Sequence, residues 1–130
     1  MMNEPSPFFD ELAHAVIGAA IEVHLILGPG YLEKTYEEAL AIEFGLCEIS
    51  FSRQHPIGLS YKGHVIGEGR LDFLIGGELV VELKTVEYVA EIHKAQVISY
   101  LKATGLTLGL LINFHVPLLR DGIKRVVLSQ

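Results

Sequence analysis

The chain has 130 residues, half of them hydrophobic, and its 16 acidic residues outnumber 10 basic ones for a net charge of −6. That length and apolar share support a real core and exclude a disordered chain. The charge is uneven: residues 1–48 hold nine acids against Lys34 alone, and residues 49–130 hold nine bases against seven acids, so any basic surface for nucleic acid must come from the second part.

Ser6-Pro7 reads as a helix start, serine as cap and proline in the first turn, with Asp10 and Glu11 suited to the positive end of the helix dipole. Leu12, Ala15, Val16, Ala19, Ala20, Val23 and Leu27 then recur with helical period until Gly28-Pro29-Gly30. A second helix is expected from near Tyr31 to about Phe44, with Leu32, Tyr36, Ala39 and Leu40 along one side and Gly45 as its cap. Ile49 to Tyr61 has strand character, and Pro56 suggests an edge or a bulge. Lys62-Gly63 turns the chain into a strand from His64 to Ile75. Gly76-Gly77 turns it again into a strand from Glu78 to Thr85. Residues 91–104 return to helical period, closed by Gly105. Leu108 to Phe114 reads as a buried strand, and residues 123–128 as a last one. The order α-α-β-β-β-α-β-β predicts an α/β fold, a central mixed sheet flanked by helices, in one domain over residues 1–130.

Cys47 is the single cysteine, which leaves no internal disulfide or cysteine zinc site and fits a reducing compartment. The histidines lack metal-ligand spacing. The acidic N-terminus does not resemble a signal peptide, and the apolar run at residues 15–27 is interrupted by Glu22 and His24 and too short to span a bilayer. The expectation is a soluble, cytoplasmic protein with no membrane partner.

Three charges interrupt the apolar strands: Asp72, Glu82 and Lys84. Charge is costly in a buried sheet unless paired or bound to a metal. Glu82 and Lys84, two apart on a strand, share a face roughly 6–7 Å apart. Register decides whether Asp72 joins them. A two-residue turn would pair Ile75 with Glu78 and put Asp72 on the wrong face. A three-residue loop, Gly76-Gly77-Glu78, pairs Ile75 with Leu79 and sets Asp72 opposite Glu82, and this register is the expected one. Two converging carboxylates suit a hard divalent cation such as Mg²⁺, which assists phosphodiester hydrolysis, and a lysine alongside could stabilise the developing charge. An ordinary Glu–Lys surface pair is the competing explanation.

Asp72 followed by Glu82-Leu83-Lys84 resembles the D…(D/E)-x-K signature of the PD-(D/E)XK, or restriction-endonuclease-like, nuclease superfamily, with Leu71 where proline usually stands. More narrowly, Gly30-Tyr31-Leu32-Glu33-Lys34-Thr35-Tyr36 resembles the motif of the GxxExxY protein family, accompanied by Gly28-Pro29-Gly30, Arg70-x-Asp72, His93-x-x-Gln96 leading to Tyr100-Leu101, and Gly109 to Phe114. The resemblance implies a restriction-endonuclease-like core. It implies Asp72, Glu82 and Glu33 as metal ligands, Glu33 being the additional acid from the helix before the sheet, with Lys84 as the catalytic lysine and Gln96 supporting the site or touching phosphate. It further implies Mg²⁺, with Mn²⁺ able to substitute, and DNA or RNA as partner, a homodimer being one way to build a groove. The competing function is a non-catalytic nucleic-acid- or protein-binding module on the same fold. Each residue also has a plainer role: Glu33, like Glu37 and Glu38, suits a solvated helix face, Tyr36 suits the core, and Arg120, Lys124 and Arg125 suit a solvated charge run.

Overall fold

A computed structural model describes residues 7–128, with side chains from residue 11 onward. The elements are α1 (Pro7–Leu27), α2 (Glu33–Leu46), β1 (Phe51–Tyr61), β2 (His64–Ile75), β3 (Leu79–Lys84), α3 (Glu91–Thr104), β4 (Leu108–Asn113) and β5 (Ile123–Val127), with a short 3₁₀ turn before β5. The expected order is the observed one. The Ser6 cap and the Asp10 side chain lie outside the described residues. Among the described residues no helix is long and apolar enough to cross a membrane.

The five strands form one sheet in sequence order, β1-β2-β3-β4-β5. Only β3 and β4 are parallel; the other neighbours are antiparallel. A parallel pair needs a long crossover, and α3 supplies it. Two apolar layers sandwich the sheet. One joins α1 and α2 to Leu79, Val81, Leu83, Leu110 and Ile112. The other places Val97 and Leu101 of α3 over Val80 and Leu111. Because β3 is buried on both faces, its sequence is a continuous apolar run into which Glu82 intrudes. α3 lies close: a Cβ on Gly109 would stand 2.7 Å from the Val97 side chain, so the smallest residue is what lets the helix meet the sheet there.

Three local expectations change. α2 runs past Gly45, because Ile49 N–H reaches Phe44 O at 2.9 Å and Glu48 N–H reaches Gly45 O at 3.2 Å; the left-handed residue of this closing motif is Glu48, at φ 57°. Leu32, at the cap before α2, is 78% exposed rather than packed, since helical periodicity does not extend to the cap. On α1 it is Ala13 that is buried, and Ala15 faces out. The buried Tyr36 is a core residue, as expected: its ring stacks on Phe114 with centroids 4.4 Å apart.

The β1–β2 hairpin changes sides partway along. Phe51, Phe73 and Ile75 pack with the α1–α2 layer, whereas Ile57, Leu59 and Leu71 pack with the α3 layer. The switch falls at Gln54 and Asp72. Gln54 takes φ 50°, and a left-handed residue inside a strand reverses the facing of those that follow. The crossing lets the outer half of the hairpin fold towards α3.

Candidate active site

The register that matters is the predicted one. β2 and β3 pair Ile75 with Leu79, Leu74 with Val80 and Phe73 with Val81. The loop between them is Gly76-Gly77-Glu78, both glycines at positive φ (57° and 72°), with Glu78 N–H donating to Ile75 O at 3.0 Å. One step further, where Asp72 meets Glu82, side chains replace the backbone ladder. Asp72 N–H donates to Glu82 Oε2 at 2.7 Å. Leu83 N–H donates to Asp72 Oδ2 at 2.8 Å. Each carboxylate therefore binds the backbone beside the other, and each keeps its second oxygen outside those bonds.

Glu82 is 4% exposed. Burial first, then the Asp72 charge, raises its carboxyl from 4.5 to about 8, although the Asp72 N–H and Lys84 pull the other way. Burial also raises Asp72, opposed by its bond from Leu83 and by Lys84. Glu33, at the start of α2 and half-buried, is raised by burial and then by Asp72, with Lys84 opposing. Lys84 thus lies within electrostatic reach of all three acids. It closes β3, the end of a parallel pair where α/β folds place ligands. Its main chain is fixed by a bond from Phe114 N–H to Lys84 O at 3.0 Å. Two residues on, the buried Asn113 amide clamps Val86, accepting from its N–H at 3.0 Å and donating to its carbonyl at 2.7 Å.

Gln96 is exposed on α3 and lines, with Lys84, His93 and Ser99, an open groove of about 330 Å³. His93 itself serves the helix, since its Nδ1 accepts Ala90 N–H at 3.0 Å and closes the start of α3. One turn beyond Gln96, half-buried Tyr100 feels the site directly, its hydroxyl raised by burial and by the charges of Glu82 and Asp72. The polar side of α3 therefore faces the carboxylates. A Cβ on Gly69 would stand 3.3 Å from the Tyr100 ring, so the hairpin's missing side chain makes room for it.

Sequence reasoning missed a layer behind Asp72. Glu37 is 9% exposed, not solvated as its helix suggested. It accepts Arg53 Nε at 2.6 Å and Gln54 Nε2 at 2.8 Å. Arg53 also reaches Glu38 at 2.6 Å, and Gln54 Nε2 reaches Asp72 Oδ1 at 3.4 Å. This chain of contacts ties α2 through β1 to β2. Its only signal in the sequence is the run of polar residues from Ser52 to His55 in the first part of β1. Tyr36 is the other anchor: its hydroxyl donates to Gly28 O and accepts Tyr31 N–H, fixing the loop from which Glu33 starts.

A sequence model of the PD-(D/E)XK nuclease superfamily matches residues 10–126. The chain belongs to the PD-(D/E)XK nuclease superfamily. No match was found among curated proteins. The five-strand mixed sheet flanked by helices agrees with the restriction-endonuclease-like fold, and superfamily members typically use divalent metals. The donors here suit such an ion. They are carboxylate oxygens, hard ligands without sulfur or imidazole, and burial, with their neighbours' charge added, raises Asp72 and Glu82, a cost of ionisation that a bound cation would relieve. Among the described residues no three acidic, histidine or cysteine side chains are grouped to hold one ion.

Proposed function

We propose that the chain is a metal-dependent nuclease that hydrolyses phosphodiester bonds of DNA or RNA, using Mg²⁺ or Mn²⁺ at Asp72 and Glu82 in a single nuclease-like domain. The observation that carries this reading is the reciprocal bonding of Asp72 and Glu82 with Lys84 two residues along the same strand. The stretch Gly30 to Tyr36 supports the narrower GxxExxY assignment.

Asp72 and Glu82 would hold the ion, with Glu33 as the nearby additional acid. Such an ion, when bound, neutralises phosphoryl charge and acidifies water. The chain's own groups do the rest. The ammonium of Lys84 orients the attacking water or meets the charge that builds on the phosphoryl oxygens as the bond to the leaving sugar oxygen breaks. Gln96, which lines the same groove as Lys84, would donate to a phosphate oxygen. Tyr100 of α3, whose hydroxyl feels the charges of Glu82 and Asp72, would border the bound phosphate on that side.

The test is cleavage of labelled single- and double-stranded DNA and RNA with Mg²⁺ or Mn²⁺, wild type beside Lys84→Ala, with circular dichroism on both. Cleavage by wild type that Lys84→Ala lacks supports the reading. If neither protein cuts any of the four substrates, the reading fails and a binding module on the nuclease fold takes its place.

A further inference from the structure

Four of the chain's ten lysines and arginines line one groove: Lys94 of α3, Arg120 of the 3₁₀ turn, and Lys124 and Arg125 of β5. The groove, about 470 Å³, runs along the free edge of the sheet, and its remaining walls are isoleucines of α1 and β5. Among the described residues no acidic side chain lines it. Glu91 reaches Lys94 at 3.6 Å from outside, and exposed Asp121 follows Arg120 without entering. In a chain of net charge −6, this gathering of positive charge requires an explanation.

The groove also has a direction. α3 supplies His93 and Gln96 to the groove beside Lys84, and its next residue after His93, Lys94, lines the basic groove. Adjacent residues in the first turn of α3 thus border the two grooves. We infer that the basic groove is a phosphate track, along which the backbone of a nucleic acid runs on from the Lys84 site. This rests on the nuclease reading for the identity of the strand, but not for the binding itself. Positive charge along an edge strand opposes pairing with another strand and attracts phosphates. Among the described residues no aromatic side chain lines the groove, so bases find no stacking platform there. The grip is on the backbone, independent of sequence.

The test uses fluorescence anisotropy with labelled oligonucleotides of two unrelated sequences, in EDTA so that nothing is cut. Wild type is compared with a Lys94→Ala, Arg120→Ala, Lys124→Ala triple variant and with a Lys94→Arg, Lys124→Arg variant. The triple variant should bind roughly tenfold or more weakly, with the slope of log affinity against log salt shallower by about 2. The arginine variant should bind like wild type, and the two oligonucleotides should behave alike. Unchanged affinity and slope in the triple variant would overturn the track, as would a change confined to self-association in sedimentation. Cleavage measured separately keeps the two ideas apart. A wild type that cuts while the triple variant binds normally sinks the track alone. A wild type that binds through the groove and cuts nothing sinks the nuclease reading alone.

Discussion

The carboxylate of Glu82 accepts the backbone N–H of Asp72 at 2.7 Å, while the carboxylate of Asp72 accepts the N–H of Leu83 at 2.8 Å. Two acids that repel each other are held together because each also serves as the other strand's hydrogen-bond partner. Bonds to buried backbone donors are costly to lose, so the pair is both structural and electrostatically unfavourable.

That conflict sets a pH dependence. The folded Glu82 carboxyl sits at about 8 against 4.5, so between those values the folded state binds a proton that the unfolded state has lost. Stability from this group is fully present below about 4.5 and is lost as pH rises through 8, on the order of 5 kcal/mol in all. Asp72 and Glu33, also raised, act in the same direction. Urea unfolding at pH 5.5 and pH 8.5 should show wild type losing stability and Glu82→Gln losing much less. Parallel losses in the two proteins would contradict this account.

A cation should reverse the loss. At pH 8, Mg²⁺ or Mn²⁺ binding to the folded pair raises the melting temperature by mass action, and EDTA abolishes the rise. Asp72→Ala should show no metal-dependent shift. An equal shift in that variant would place the ion elsewhere.

Lys84→Ala should reduce cleavage by about 10²–10³ with the fold retained, because its backbone stays tied to Phe114, and with a lower melting temperature mainly at high pH, where its charge no longer offsets Asp72, Glu82 and Glu33. Single-turnover assays at saturating substrate separate this from weakened binding. A loss that appears only at low substrate would reassign Lys84 to binding.

Gly109→Ala should destabilise the fold by about 1–3 kcal/mol through overpacking, since the new Cβ would meet Val97 at 2.7 Å. Val97→Ala in the same chain should recover part of that loss. Additive effects in the double variant would show that the two positions do not share the contact.

The element order and the Asp72–Glu82 register were legible because both follow from local chemistry: alternating and continuous apolar runs, and a Gly-Gly turn whose loop length fixes pairing. Glu33 and Gln96 were legible only through resemblance; the structure puts Glu33 within electrostatic reach of Asp72 and Lys84 and Gln96 on the groove beside Lys84. Glu37 was not legible. Its helix neighbours are charged, and only the left-handed turn at Gln54, which periodicity does not reveal, brings β1 up to bury it. The basic groove was hidden for a similar reason. Arg120, Lys124 and Arg125 read as a solvated run until folding set Lys94, 30 residues from Lys124, beside them.

The Tyr36 clamp carries a consequence for how this chain can vary in length. One hydroxyl ties Gly28 and Tyr31 to the end of the first turn of α2, so the segment from Gly28 to Tyr36 acts as a ruler that measures out where Glu33 begins. A residue added inside it would shift that acid by a fraction of a helical turn and leave a buried phenol without its partners. The Lys62-Gly63 tip, exposed and remote from both apolar layers, should accept the same addition with little effect.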